Sequence, residues 1–252
     1  MFLKVIACEV TFREICHCAA RSLNCFDLEF VSQGYHDNPD TGLTRLQEMI
    51  DAVEPGRYDG ILLGYGLCNN MLNGLAARHT TLIIPRAHDC ITFFLGSKER
   101  YQELFSQDPG TYYYTAGWLE YRNRGGERLQ RRQGAETGED ASYAEMVARY
   151  GEDNARYLAE FMNSWTQHYS RGVFIDFDFS SHLDHRHHVA ALCRERGWEY
   201  QEIQGDLALL QSWLDARWDD EHFLRVQPGE TVRPSHDRGI LQIAPADAPA
   251  DR

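Results

Sequence analysis

The first half of the chain alternates short apolar runs with stretches whose apolar residues recur at helical spacing. The apolar runs predict buried strands at residues 2–7, 28–31, 58–63 and 81–84. The stretches between and after them predict helices at residues 12–23, 43–53, 72–78 and 91–105. Strand–helix alternation at this spacing is typical of βαβ units with right-handed crossovers. We therefore expect an α/β fold with a parallel sheet, in a doubly wound Rossmann-like architecture.

The second half repeats the alternation after a polar interruption. Its pattern predicts strands at 111–115, 173–177, 200–203 and 223–226, and helices at 142–169, 185–196 and 207–218. We expect an N-terminal βα half at 1–120, a polar excursion at 121–141, a C-terminal helix and βα half at 142–232, and a tail at 233–252 with little to bury. These parts are expected to form one integrated domain. One continuous sheet and two βα-rich lobes both fit the pattern.

Composition narrows the function classes. The formal charge of −13 disfavours nucleic acid as a partner, because nonspecific binding to phosphates needs a basic face. No stretch approaches the roughly 18 consecutive apolar residues of a membrane span, and the N-terminus lacks the pattern of a signal peptide. The seven cysteines are an odd number, which disfavours a disulfide framework. We expect a cytoplasmic protein with reduced thiols and no membrane partner.

Three cysteines lie where predicted strands end. Cys8 ends the first strand, and Cys68 and Cys90 follow the third and the fourth. In a doubly wound sheet of order 2-1-3-4-5, strands 1, 3 and 4 are neighbours, about 4.8 Å apart. The three thiols would then converge on the crevice where open α/β sheets bind ligands. The alternative is that these small side chains only fill tight spaces near the strand ends.

Converging thiols predict a metal site with Cys8, Cys68 and Cys90 as ligands. Three thiolates with a histidine or carboxylate suit zinc, our first choice, and three cysteines with an open fourth position suit a [4Fe-4S] cluster equally. The sequence does not choose between them. Cys90 would also open the helix at 91–105, where the dipole favours a thiolate, so a metal-free cysteine nucleophile stays an alternative.

Polar and aromatic residues beside the thiols supply further candidates. The candidates for proton transfer, or for a fourth ligand, are Glu9, His88 and Asp89. The candidates for binding a small-molecule substrate are Arg86, Tyr65, Asn69 and Trp118. Arg86 can bind a carboxylate or phosphate through two donors, and Trp118 can stack on a flat ligand. The histidines between His182 and His188 form a second cluster, whose role the sequence leaves open.

Several segments resemble the DUF1638 family of bacterial and archaeal proteins of unknown function. They are Cys8-Glu9-Val10, Leu63-Gly64-Tyr65-Gly66-Leu67-Cys68-Asn69, Ile84-Pro85-Arg86-Ala87-His88-Asp89-Cys90-Ile91-Thr92, Leu95-Gly96-Ser97, Pro109-Gly110-Thr111-Tyr112, Gly117-Trp118, and the eight residues 150–157. The resemblance implies an association with corrinoid-dependent methyl transfer, with a corrinoid as cofactor or a corrinoid protein as partner. Together with the thiols it predicts a metalloprotein, expected to be a metal-dependent transferase. A non-catalytic cofactor-binding or accessory protein is the other reading.

Overall fold

The computed structural model describes residues 1–37, 39–122, 152 and 169–245. Apart from single positions, the excursion expected at 121–141 and the helix expected at 142–169 lie outside these residues. The strands of the described part form sheets of five, three and two strands. Within that part, no helix is both long and apolar enough to cross a membrane.

The candidate site lies where strands of the five-stranded sheet end. Its strands, in spatial order, are β2 (Cys25–Val31), β1 (Phe2–Cys8), β3 (Gly60–Gly64), β4 (Leu82–Pro85) and β8 (Phe223–Val226). The first four are parallel, and β8 runs antiparallel to β4. The Rossmann-like α/β class is confirmed, and so is the prediction that strands 1, 3 and 4 are neighbours. The fifth place belongs to β8 rather than to the strand predicted at 111–115.

Both faces of this sheet are covered, which explains why its central strands β3 and β4 are continuous apolar runs. Ile6 and Leu63 pack on one face in a core shared with α2 (Pro39–Asp51). Val5 and Leu62 pack on the other face with α1 (Phe12–Ala19) and α7 (Ala208–Leu214). Neighbouring residues of one strand point to opposite faces, so each strand contributes to two cores.

The second sheet is separate and parallel. It orders β5 (Thr111–Tyr114), β6 (Arg171–Asp176) and β7 (Glu199–Gln204), with α6 (His185–Arg196) packed on β6 and β7. The βα units therefore form two sheets rather than one continuous sheet, and each sheet takes strands from both halves of the chain. Helix α5 (Ala116–Arg122) returns from β5 to the 3₁₀ segment Glu9–Thr11 that follows β1.

The single helix expected at 91–105 forms as two helices. They are α3 (Ile91–Leu95) and α4 (Lys98–Gln107). Gly96, at φ 83°, ends α3 in the left-handed conformation. Ser97 then caps α4 by accepting a hydrogen bond from the Arg100 N–H at 3.1 Å.

The helix expected at 72–78 does not form. Gly74 has a φ of 92°, and its N–H donates to the Val232 carbonyl at 2.8 Å. The Val232 N–H donates to the Leu75 carbonyl at 2.8 Å. The segment therefore forms turns and bonds to the strand at Glu230–Pro234 instead of continuing as a helix.

The prediction of a tail from residue 233 is wrong for the residues up to 245. The antiparallel strands β9 (Glu230–Pro234) and β10 (Leu241–Pro245) form a hairpin there. Ile240 and Leu241 are fully buried in the core that contains Ile6. Two buried apolar residues in a row give only a weak hydrophobic pattern in a segment rich in proline and charged residues.

Candidate functional site

The pairing of β3 with β4 continues past the ends of both strands and holds the cysteine loops together. The Leu67 N–H donates to the Ala87 carbonyl, and the Cys68 N–H donates to the His88 carbonyl, both at 2.8 Å. Cys68 and Cys8 both contribute to raising the pKa of Cys90, so the three groups interact electrostatically. Cys8 packs against the cores on both sides of this point. The strand ends therefore place Cys8, Cys68 and Cys90 at the carboxyl edge of the main sheet.

The loop that carries Cys68 has a strained backbone. Cys68, Asn69 and Asn70 have φ values of 44°, 58° and 63°, in the left-handed region that costs an ordinary L-residue roughly 1–2 kcal/mol. Asparagine is one of the few non-glycine residues that visit this region readily. The turn leaves both asparagines exposed and buries Cys68 at 5% exposure. Strain that persists at such a place is typical of functional sites.

Gly66 makes the close approach of the two loops feasible. A Cβ atom at this position would lie 2.8 Å from the Asp89 backbone nitrogen and 2.9 Å from the Ala87 carbonyl oxygen. Any larger residue would push the loops apart. The sequence Gly64-Tyr65-Gly66-Leu67-Cys68 therefore brings Cys68 against Cys90 only because position 66 has no side chain.

The environment of Cys68 and Cys90 keeps both thiols protonated. Burial raises the pKa of Cys68 and of Cys90 well above the ordinary thiol value, and the neighbouring Asp89 carboxylate raises both further. The backbone N–H groups of Gly66 and Cys90 lie close to the Cys68 sulfur and lower its pKa in part. The sequence-based expectation that the helix start activates Cys90 as a free thiolate is therefore not met.

Cys90 directly precedes α3, but the side chain that binds the start of this helix is that of Asp89. One Asp89 oxygen accepts a hydrogen bond from the Ile91 N–H at 2.9 Å, at the first residue of α3. The other accepts one from the Tyr101 hydroxyl at 2.8 Å. The carboxylate is thus fixed between α3 and α4, with its charge beside the thiols. No sequence pattern distinguishes Tyr101, which lies on the next helix.

Glu9 and His88 have different surroundings. One Glu9 carboxylate oxygen accepts hydrogen bonds from the Gln33 N–H at 2.8 Å and from the Ser32 hydroxyl at 3.3 Å, so it binds the segment after β2. His88 is exposed and lines a groove of about 1270 Å³ between the cysteine loops, α4 and the β9–β10 hairpin. Leu67 and Asn70 also line this groove, whereas none of the three thiols does.

The candidate substrate residues divide into two groups. Tyr65 is buried beside the thiols, and Asn69 is exposed in the strained loop. Arg86 instead donates to the main-chain carbonyls of Asp220, Gly239 and Leu241, so it anchors the hairpin. Trp118 contacts the Tyr112 ring, at a centroid distance of 6.1 Å, in the aromatic cluster at the second sheet.

No ready-made metal site is visible within the described residues. No group of three or more His, Cys, Asp or Glu side chains there is arranged to hold one ion. In the histidine cluster, His185 lies 3.4 Å from Glu120, and His187 pairs with Asp184. The thiols nevertheless offer the donor type that zinc and iron–sulfur clusters prefer. Joining them to one ion requires side-chain rotation and the loss of their protons.

Comparisons with known proteins identify the family and nothing closer. No curated protein matches the sequence, and no solved structure matches it. The sequence matches the family described as "Protein of unknown function (DUF1638)" over residues 30–214. The matched range includes Cys68 and Cys90 and begins after Cys8. Because it covers well over half of the 252 residues, the chain belongs to the DUF1638 family.

Proposed function

We propose that this protein is a metalloprotein that binds zinc or an iron–sulfur cluster through Cys8, Cys68 and Cys90, and that it acts on a small molecule as a metal-dependent transferase. One observation carries the proposal. Cys8, Cys68 and Cys90 end or follow the neighbouring strands β1, β3 and β4 at the carboxyl edge of the sheet, and the backbone of Cys68 is strained there. Simple packing of small side chains does not require that strain.

The charges around the thiols favour the binding of a cation. Burial and the Asp89 carboxylate both disfavour a bare thiolate at Cys68 or Cys90. A divalent cation reverses this preference, because it stabilises the deprotonated thiols and is itself attracted by the carboxylate. The same features count against a metal-free cysteine nucleophile, which needs a lowered thiol pKa.

The residues of the chain then have distinct tasks. When bound, the metal supplies Lewis acidity toward a substrate thiol, water or methyl donor. His88 exchanges protons with a molecule in the groove, because its side chain is exposed there. Asp89, fixed by Tyr101, keeps the negative charge beside the thiols. Glu9 holds the segment after β2 against the site.

Methyl transfer is the reaction class that we propose, with a corrinoid or a corrinoid protein as partner. The support is the family resemblance, together with the suitability of thiolate-bound zinc for activating a thiol. The free cysteines suit a reducing compartment, so a cytoplasmic location is part of the proposal. An accessory protein without turnover would use the same residues, and it would be recognised by a retained chromophore without methyl transfer.

Replacing one ligand tests the site. We expect Cys68→Ala to lose the metal that the wild-type protein carries after purification without oxygen, as measured by elemental analysis per chain. Cys25→Ala is the matched control, because Cys25 is exposed at the start of β2. The control should keep the wild-type metal content. A Cys68→Ala protein with unchanged metal content would contradict the site assignment.

A further inference from the structure

The groove between the cysteine loops, α4 and the β9–β10 hairpin has the size of a small-molecule site. Its volume is about 1270 Å³, and ligand pockets in proteins usually measure roughly 300–1,000 Å³. Asn70 in the cysteine loop and Ile240 in the hairpin both line it, and both have a φ of 63°. Such a φ is rare for a β-branched residue. Strain of this kind is found where a ligand is bound.

One face of α4 forms a wall of the groove. Lys98, Gln102 and Phe105 follow one another at helical spacing and all line the groove. Phe105 is 55% exposed, so its ring is available to an apolar part of a ligand. Lys98 lies two turns earlier, about 10 Å away along the helix axis. The wall therefore presents an apolar surface at one end and an ammonium group at the other.

The Lys98 ammonium group is largely enclosed and lacks a close carboxylate. Its side chain is 14% exposed, and Nζ donates to the carbonyl oxygens of Glu221 and Arg238 at 2.9 Å and 3.2 Å. Among the described residues, only Glu99 has a carboxylate oxygen within 4.0 Å of Nζ, at 4.0 Å, and that side chain is 59% exposed. Burying a charge without a close counter-ion is costly. An anion in the groove would reduce this cost.

The other charged side chains of the groove are exposed. Its carboxylates belong to Glu99, Glu103 and Asp237, and solvent screens their charges. Arg238 lies in the hairpin loop, and within the described part of the chain its guanidinium group has no ion pair or hydrogen bond. The enclosed charge is therefore the positive charge of Lys98, and the guanidinium group of Arg238 is available to the same ligand.

We propose that this groove binds a small organic anion, a carboxylate or a phosphate ester that carries an apolar body such as an aromatic ring. The anionic group binds Lys98 and Arg238, and the body lies along α4 against Phe105. The length of this wall suits a ligand of about 10 Å. The inference goes beyond the proposed function, because binding in the groove requires no metal. It gives the class of molecule that His88 would meet there.

Calorimetric titration of the full-length protein with three probes tests the inference. The probes are 4-phenylbutanoate, 4-phenylbutyl phosphate and the neutral 4-phenylbutanol, which share one apolar body and differ in the end group. We expect at least one of the two anions to bind with one site per chain and at least about tenfold more tightly than the alcohol, the size of a hydrogen bond to a charged group. The preferred anion distinguishes a carboxylate ligand from a phosphate ester.

Two exposed side chains of the groove can be replaced without disturbing the core. We expect Phe105→Ala to weaken binding of the preferred anion about threefold to tenfold, the size of an aromatic contact. Arg238→Gln should weaken it about threefold and leave binding of the alcohol unchanged. Leu23→Ala and Arg45→Gln are the matched controls, because both residues are exposed and neither lines the groove. Both controls should bind the anion like the wild type.

The outcomes separate the inference from the proposed function. A wild type that binds none of the probes, or that binds the alcohol as tightly as both anions, overturns the inference. Wild-type anion affinity in either groove variant overturns it as well, because the anion then binds elsewhere. Metal content is measured on the same samples. A protein that binds the anion as expected but holds no metal supports the inference and contradicts the proposed function.

Discussion

Glu14 is a residue of α1 whose carboxyl group is enclosed without a partner. Both oxygen atoms are buried, and neither has a hydrogen bond within the described residues. Burial raises the pKa of Glu14 to about 8. The folded protein therefore carries a protonated Glu14 at neutral pH, whereas the unfolded chain has an ionised one.

Glu14 makes the protein less stable as the pH rises. Between the unfolded value of 4.5 and the folded value of about 8, the folded state holds one more proton than the unfolded state. Folding stability then falls by up to about 1.4 kcal/mol per pH unit. We expect Glu14→Gln, which keeps the shape but cannot ionise, to match the wild type near pH 5 and to be more stable by a few kcal/mol at pH 8. Urea unfolding across this range measures the difference.

Glu103→Gln is the control for this titration, because Glu103 is exposed on α4. Its stability should follow the wild type at every pH. If Glu14→Gln also follows the wild type from pH 5 to pH 8, then Glu14 is not a buried neutral acid.

At the residue scale, the positions of the cysteines relative to the sheet were predictable from the sequence, but the contacts of the side chains around them were not. The neighbouring Gly64 and Pro85 mark the strand ends, so the positions of Cys68 and Cys90 relative to the sheet were predictable. The directions of the side chains were not predictable from the sequence. Arg86 follows a strand end like the cysteines, yet its guanidinium group binds hairpin carbonyls. Cys90 precedes α3 as predicted, but the Asp89 side chain, and not the Cys90 thiol, binds the Ile91 N–H.

The β9–β10 hairpin provides the prediction at the scale of one element. Leu241 is 1% exposed and Ile243, two residues on, is 44% exposed. We expect Leu241→Ala to destabilise the protein by about 2–5 kcal/mol, as other buried leucine truncations do. Ile243→Ala should change the stability by less than about 0.5 kcal/mol. Urea unfolding of both variants distinguishes a packed hairpin from a tail, for which neither change would matter.

Elements were predictable where burial gave them a long pattern. The strands β1 and β3 are apolar on both faces, and their runs predicted them well. The helix at 91–105 was predicted whole, because one glycine inside an apolar pattern does not by itself end a helix. Its break depends on the φ of Gly96 and on the Ser97 cap. The hairpin was missed because only Val232, Ile240 and Leu241 mark its core.

At the scale of the whole molecule, a close backbone contact at Gly117 connects the second sheet with the first. Helix α5 follows the second sheet and packs on the segment after β1, where a Cβ at position 117 would lie 1.8 Å from the Val10 carbonyl oxygen. We expect Gly117→Ala to destabilise the protein by about 2 kcal/mol or more, because backbone atoms must move apart. Ser181→Ala, at an exposed position, is the control. Equal unfolding midpoints for the two variants would argue against this contact.

The arrangement of the two halves depended on contacts that no local pattern contains. The strand at Thr111–Tyr114 was predicted correctly, but it begins the second sheet instead of extending the first. The fifth position of the main sheet went to Phe223–Val226, from the far end of the chain. Pairing between such distant segments is decided by tertiary packing. The neighbouring positions of strands 1, 3 and 4, and with them the edge of the sheet at which the three cysteines lie, were nevertheless predictable.

The central claim is that the thiols at this edge hold a metal. Elemental analysis and an absorption spectrum of the wild-type protein, purified without oxygen, test it most directly. The account predicts either about one zinc per chain in a colourless protein, or iron with the broad visible absorption of a thiolate-bound cluster. A colourless protein with less than about a tenth of an equivalent of any transition metal, which also takes up none when zinc or iron and sulfide are supplied, would contradict it.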